Sequence, residues 1–508
     1  MKKILLVILV LLVLLVAFLL IRTFTYPFKK IEIQSGEGVK IQQNDSAVAR
    51  LSGGIKIPTV SPGDNAEDYK PFDELKAYLK KNYPEIYQNT ENYEVNGYGL
   101  VFRLKGSNSK LEPILFLSHM DVVPPGDASV KSMEENIFRP QDKPLPAVTA
   151  VADKWDYGPF SGAVLNGRIY GRGTLDMKGM LFSLFESMSN LIKSGFVPQR
   201  DIYMAFGFDE EIGGKLGAVK IAEHFKKNGL KFDAVYDEGG FILEKGSVAG
   251  VDADVALIGA AEKGFLSARI KVKGLGGHSS VPPLESAMGK AAIIMQRLEQ
   301  HQMKPTVTPL ISNFFDNIGG TMPFTNRLAI ANKWLLEPVL LSQLTKNNST
   351  NALVRTTTAL TMMKGSDASN VLSPEVEFVV NFRLLPGNTL KDVKDHIAKA
   401  TEGFDVVVED INAREASSVS PSDTKAYKIM EESLRGIQPG VIITPYLTVG
   451  GTDAYKYQDV SNHIYRFIPA KINQYEQQSI HSTNEYISID NYMKMIHYFE
   501  YIMKNYDK

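Results

Sequence analysis

Three short apolar runs in this chain each end in acidic or histidine residues. Pro113-Ile114-Leu115-Phe116-Leu117 leads into Ser118-His119-Met120-Asp121, Ile202 to Phe208 leads into Asp209-Glu210-Glu211, and Phe232 to Tyr236 leads into Asp237-Glu238-Gly239-Gly240. Runs this short, apolar at consecutive positions, predict strands buried on both faces, as in a parallel sheet. In such sheets the ligand crevice lies beyond the carboxyl ends of the strands, so side chains remote in sequence converge there. Crowded carboxylates repel one another unless a cation sits among them. The pattern therefore predicts a metal site in an α/β fold.

The donor set of that site is bounded by composition. The chain of 508 residues has no cysteine, so any metal must be held by imidazole and carboxylate, and thiolate zinc sites, disulfides and cysteine nucleophiles are excluded. With 56 basic and 57 acidic residues the net charge is −1, which gives no electrostatic footprint for nucleic acid. An apolar content of 44% supports a large core, and the length suggests two or three domains.

After Lys2 and Lys3 the segment Ile4 to Ile21 is uninterrupted apolar sequence. As a helix it would cross roughly 27 Å of hydrocarbon, so residues 1–22 read as a transmembrane anchor. A cleaved signal peptide is the rival, but Arg22-Thr23-Phe24-Thr25-Tyr26 does not supply the small residues of a cleavage site. The catalytic part is expected outside the cytoplasm in either case, while basic residues on both flanks leave the orientation open.

Residues 23–57 read as a stalk or linker with a first element, and strand and helix patterns alternate over 58–263. After Asp176, Met177, Met180, Leu181, Leu184, Phe185, Met188, Leu191 and Ile192 keep helical spacing as far as Gly195. The stretch 264–411 has another rhythm: strand Phe265 to Val272, helix Ser286 to Gln300, strands Thr356 to Met363 and Val376 to Leu384, helix Leu390 to Thr401, strand Phe404 to Glu409. That order predicts a ferredoxin-like domain inserted into the first, with an excursion between Met303 and Ala352. Residues 412–508 return to the α/β pattern.

His119-Met120-Asp121, Gly171-Arg172-Gly173-Thr174-Leu175-Asp176-Met177-Lys178-Gly179, Asp209-Glu210-Glu211, Asp237 and Ile480-His481 together meet the needs of two neighbouring metal ions. From Pro58 to the C-terminus the chain resembles the co-catalytic zinc metallopeptidase family of carboxypeptidase G, carboxypeptidase S and aminoacylase, with most similarity to the carboxypeptidase S and secreted N-acyl-amino-acid synthase/hydrolase branch. The resemblance implies a zinc-peptidase catalytic domain with a mixed, mainly parallel sheet and an inserted lid or dimerisation domain. It implies two Zn2+ per subunit, with Co2+ or Mn2+ as substitutes. His119, Asp176 and Asp237 would hold one ion, and Asp176, Glu211 and His481 the other. Glu210 would be the general base toward the attacking water, and Asp121 would fix the His119 tautomer.

The same resemblance implies that His278, in Gly276-Gly277-His278-Ser279-Ser280, steadies the oxyanion in a partner subunit. Asn370 and Arg383 would bind a substrate carboxylate, and Gly451 would form a backbone wall near the substrate. Ala454-Tyr455-Lys456 departs from the branch and leaves side-chain preference open. The expected reaction is hydrolysis of the amide bond next to a C-terminal amino acid, in a peptide or N-acyl amino acid. A homodimer through the lid and membrane attachment through the first helix are compatible with it. An aminopeptidase or dipeptidase of the same family is the near alternative; a peptide-binding homologue without chemistry is the distant one. Each motif alone has a plainer reading: Asp176 as a helix cap, Glu210-Glu211 as a solvated loop, His278 as a turn residue, Arg383 as half of an ion pair. His224, His396 and His497 fall in helical patterns, His301 and His463 match no motif, and all five read as structural or surface residues.

Overall fold

The computed structural model describes residues 2–29, 38–61, 69–126 and 154–508. Part of the expected stalk, residues 30–37, lies outside them. Two compact units emerge: one comprises Met1–Lys29, Ala261–Val419 and Tyr446–Gly451, the other Lys30–Ala260, Ser420–Pro445 and Thr452–Lys508.

The second unit is built on a mixed sheet. Its strands run in the spatial order Glu91–Val95, Gly99–Leu104, Ile202–Gly207, Ile114–His119, Ala234–Asp237, Ile464–Arg466 and Val255–Glu262, followed by two short strands. The three acid-terminated runs of the sequence are adjacent and parallel, with His119 opposite Gly207 and Phe116 opposite Tyr236. Their carboxyl ends therefore lie along one edge. Alternate residues feed two cores: Ile114 and Phe116 pack into one, Leu115 and Leu117 into the other. That double burial explains why these strands read as continuous apolar runs rather than as alternating ones.

The helix Lys178–Lys193 covers one face of this sheet, and Met180, Leu181, Leu184, Phe185, Met188 and Leu191 are fully buried. Each such side chain contributes about 1.5–3 kcal/mol through removal from water. Gly195, at φ +73°, follows the helix in the left-handed conformation that glycine adopts without strain. The expected linker extends less far than 57. Asp45–Ile55 is a helix capped by Asn44, with Ala47, Leu51 and Ile55 at 0% exposure, because its apolar residues fall on one helical face and find the core.

The other unit holds a four-stranded antiparallel sheet in the spatial order Thr357–Lys364, Glu375–Leu384, Gly264–Lys273 and Val406–Arg414. With the helices Ala287–Gln300 and Leu390–Thr401 in their places along the chain, this is a split β-α-β arrangement. Leu266, Ala268, Ile270 and Val272 alternate into its core. Thr389 and Asp392 form a capping box that starts the second helix. The compact unit is wider than the expected insert of 264–411, and it includes Gly451. The excursion after Met303 is helical throughout most of its length: Pro309–Ile318, Phe324–Ala331, Lys333–Leu344 and Asn348–Val354.

Candidate dinuclear metal site

His119 is the last residue of its strand and is 1% exposed. Its Nδ1 lies 2.9 Å from the Asp121 backbone carbonyl and 3.3 Å from Asp121 Oδ1. Its Nε2 is thereby turned toward Asp176 Oδ1, at 3.1 Å, and Glu238 Oε1, at 3.4 Å. The second oxygen of Asp176 stands 2.9 Å from His481 Nε2, which is 3.2 Å from Glu211 Oε2. Two donor groups result, His119/Asp176/Glu238 and Asp176/Glu211/His481, with the donor atoms of each within 4.8 Å of one another.

Those spacings fit metal ions. Donors held at ~2.0–2.2 Å around a tetrahedral Zn2+ are about 3.3 Å apart, and the closest pairs here are near that value. The electrostatics point the same way. Burial and the Asp176 carboxylate push the Glu238 carboxyl up to about 8, while hydrogen bonding to Asp176 and Glu211 raises the His481 imidazole to about 10. Glu211 Oε1 is buried with no hydrogen-bond partner. Carboxylates this crowded and imidazoles this proton-hungry are compensated by cations at the positions they face.

One assignment is corrected. Glu238, not Asp237, faces His119 and Asp176. Asp237 ends its strand and pairs through its backbone with Arg466, while neighbouring residues of an extended chain point to opposite sides, so only one of the two acids can reach the imidazole. Asp237 is buried, and burial and the nearby Asp453 push its carboxyl up to about 7. Alanine at 238 is expected to reduce bound zinc from two ions per chain to one, whereas alanine at 237 leaves both in place. Atomic absorption on dialysed protein checks this, and the opposite pattern would restore the original assignment.

Glu210 stands beside the donor groups without belonging to either. Asp121 sets its position: Oδ1 accepts the Glu210 N–H at 3.1 Å, and Oδ2 accepts the Glu211 N–H at 3.1 Å and the Ser61 hydroxyl at 2.6 Å. One buried carboxylate thus orients the His119 ring and the short turn Glu210–Ile212 together. Asp209 closes the same loop by accepting the N–H groups of Leu216 and Gly217, both at 2.7 Å. Burial pushes the Glu210 carboxyl well above the usual carboxylate range, opposed by His119 and reinforced by Asp453 and Glu238. Asp453 in turn is ion-paired with Lys456, the last residue of the Ala454-Tyr455-Lys456 stretch.

Two residues without an assigned role tie the donor loops together. Glu485 Oε1 accepts the N–H groups of Gly173, Leu175 and Asp176 at 3.0, 2.8 and 3.2 Å. Its other oxygen receives Arg172 Nη1 at 2.6 Å, and Arg172 Nη2 donates to the Ser482 carbonyl at 3.0 Å. The loop bearing His481 is thereby locked to the loop bearing Asp176. Gly173 sits at φ +90°, and a Cβ there would meet Val122 Cγ1 at 2.8 Å, so this turn requires glycine. His481 itself adopts φ +62°, uncommon for a non-glycine residue.

His278, Asn370, Arg383 and Gly451 belong to the other unit. There His278 is exposed, its Nδ1 2.8 Å from the Ser280 hydroxyl, and the Asn370 carbonyl accepts the Ser279 N–H at 3.0 Å. The Arg383 guanidinium lies over the Phe265 ring, 5.6 Å from its centroid, with Arg414 on the same ring. His463 Nδ1 lies 2.8 Å from the Asp233 carbonyl, a structural contact of the expected kind.

Fold and site together define a metal-dependent hydrolase with two adjacent cation positions. A family model for peptidase family M20/M25/M40 matches residues 145–505, and the chain belongs to that family. It is 33% identical to an N-fatty-acyl-amino acid synthase/hydrolase PM20D1 of Xenopus tropicalis, over 97% of this chain and 93% of the relative. A probable carboxypeptidase S-like 2 of Dictyostelium discoideum is 32% identical over 96% and 90%. Among solved structures, an M20 family metallo-carboxypeptidase from Sulfolobus solfataricus superposes with a TM-score of 0.64 at 20% identity, covering 91% of this chain and 99% of that one. The enzyme is a dinuclear zinc amide hydrolase, and the donor set assembled above fits the two ions.

Proposed function

We propose that this enzyme cleaves the amide bond that joins an acyl group or peptide to an amino acid with a free carboxylate. The observation that carries the reading is Asp176 shared between two donor groups with Glu210 beside both. The names of the relatives, an N-fatty-acyl-amino acid synthase/hydrolase and carboxypeptidase S-like proteins, favour this substrate class. When bound, the two ions lower the pKa of water and polarise the scissile carbonyl. His119, Asp176 and Glu238 would hold one, and Asp176, Glu211 and His481 the other. Glu210 would take a proton from the attacking water and deliver it to the departing amine, a transfer suited to a carboxyl whose proton affinity burial has raised.

Arg383 and Asn370 are proposed to receive the substrate carboxylate, and His278 to stabilise the oxyanion of a second subunit in a homodimer. Hydrolysis of N-acyl amino acids and of their C-terminal amides tests the substrate class. Free acids are expected to be preferred by roughly 10²-fold, the worth of two charge-assisted hydrogen bonds. Arg383→Ala is expected to raise KM for the acid roughly 10-fold or more and to leave the amide unaffected. Equal turnover of acid and amide, or preference for a free amino terminus, would favour an aminopeptidase instead.

The helix Lys2–Thr25 is proposed as a retained membrane anchor. It is the one helix among the described residues with the length and hydropathy to cross a bilayer. Its final turn is integrated into the structure: Thr23 is 4% exposed, and its hydroxyl accepts a hydrogen bond from Asn332 Nδ2 at 3.0 Å. The catalytic unit would then stand outside the cytoplasm, tethered to the membrane surface.

A further inference from the structure

The helical excursion Pro309–Val354 carries an apolar surface that solvent alone would leave uncovered. The helix Lys333–Leu344, of sequence Lys-Trp-Leu-Leu-Glu-Pro-Val-Leu-Leu-Ser-Gln-Leu, has no buried residue. Trp334 is 58% exposed, Leu335 40% and Val339 55%, and Phe324 on the preceding helix is 38% exposed. A soluble helix gains most of its stability by burying an apolar face, and here Leu336, Leu340, Leu341 and Leu344 are only half-buried while Trp334, Leu335 and Val339 are left outside. Clustered exposure of this kind marks a binding surface.

What covers it is indicated by its neighbour. The excursion docks on the carboxyl end of the N-terminal apolar helix. Arg22 Nε donates to the Ala331 carbonyl at 2.8 Å, and Asn332 Nδ2 donates to the Leu19 carbonyl at 3.2 Å. The Phe24 ring packs on Phe324 at 5.7 Å and Phe18 on Trp334 at 6.3 Å. Arg22 and the cluster of Tyr26 hydroxyl, Asp316 and Lys333 mark the aqueous level. Phe18, with Trp334 against it, sits one turn, about 6 Å, further into the apolar run. Tryptophan at that depth is the side chain that favours the boundary between headgroups and acyl chains.

We infer that Lys333–Leu344 is a second membrane element, lying in the headgroup region of the same bilayer that the N-terminal helix crosses, with Trp334, Leu335 and Val339 immersed among the upper acyl chains. The occupant is a phospholipid bilayer, because the exposed patch is continuous with a helix whose own residues Ile4 to Phe18 are exposed and apolar. Helices that lie in this plane bury their apolar residues roughly 5–10 Å below the headgroups. The inference rests on the anchor reading above and extends it: the inserted unit would be held to the membrane at two points, which restricts its rotation about the single span.

The chain supplies its own probe, since Trp155 and Trp334 are its two tryptophans and Trp155 is 1% exposed. Full-length protein is reconstituted into phosphatidylcholine vesicles with or without bromine on the acyl chains, and vesicle flotation and tryptophan emission are read on the same sample. The expected result is co-flotation together with a bromine-dependent loss of emission that is absent in Trp334→Phe and reduced in Leu335→Asp/Val339→Asp. Failure to float would overturn the anchor. Flotation with no bromine-dependent loss attributable to Trp334 would overturn the interfacial helix while leaving the anchor intact. The same would follow if Leu335→Asp/Val339→Asp abolished a detergent-stable dimer without changing quenching, since the patch would then be covered by a second copy of the chain.

Discussion

Replacement of Glu210 by glutamine is expected to reduce kcat by roughly 10²–10⁴-fold, the usual contribution of a positioned general acid–base group, with little change in KM. Glutamine keeps the shape and the backbone hydrogen bond to Asp121 but cannot take a proton from water. Because Glu210 belongs to neither donor group, the variant is expected to retain two zinc ions per chain and the circular dichroism of the parent. Undiminished turnover would remove Glu210 from the reaction. Lost zinc would make it a ligand. The companion substitution Asp121→Asn separates positioning from chemistry: its carboxamide keeps an acceptor for only one of the two N–H groups of the turn, so both metal affinity and kcat fall, metal affinity by roughly 10–100-fold.

The convergence behind these expectations was legible because strand ends are encoded doubly. Continuous apolar runs mark buried parallel strands, and the polar residues that follow mark the edge where a crevice opens. Helices were legible where apolar spacing and caps agree, as at Leu390–Thr401 with its Thr389 cap. Choosing between Asp237 and Glu238 was not, since adjacent residues face opposite ways and the sequence does not reveal where the strand ends. The first element expected within residues 23–57 was not identified as the helix Asp45–Ile55, because the apolar face of Ser-Ala-Val-Ala-Arg-Leu-Ser-Gly-Gly is recognisable only against the core it meets. The helices of the excursion were not assigned from sequence, and Lys333–Leu344 shows why: its apolar residues are not gathered on one side, so it lacks the separate polar face by which a water-soluble helix is identified. Glu485 gave no signal: an acceptor for three remote backbone N–H groups has no signature in spacing at all.

That acceptor sets the second large effect. Glu485→Ala is expected to destabilise the catalytic unit by about 3–5 kcal/mol, the cost of leaving one member of a buried ion pair without its partner. Arg172, 1% exposed, would lose the carboxylate at 2.6 Å, and the N–H groups of Gly173, Leu175 and Asp176 would lose their common acceptor. Against a total stability of roughly 5–15 kcal/mol, that is a large fraction. The damage is also specific in direction. Asp176 and His481 sit on the two loops that Glu485 joins, and Asp176 serves both donor groups, so zinc affinity should fall before global unfolding is reached. Glu485→Gln distinguishes the charge from the hydrogen bonds: its amide oxygen can still serve the three N–H groups, while its amide nitrogen meets the Arg172 guanidinium with no charge to neutralise it. The glutamine variant is therefore expected to unfold between the parent and the alanine variant in urea, with zinc content following the same order. Coincident urea midpoints and equal zinc content in all three proteins would mean that the two loops are held by their own turns, and that the site does not depend on the Arg172–Glu485 pair.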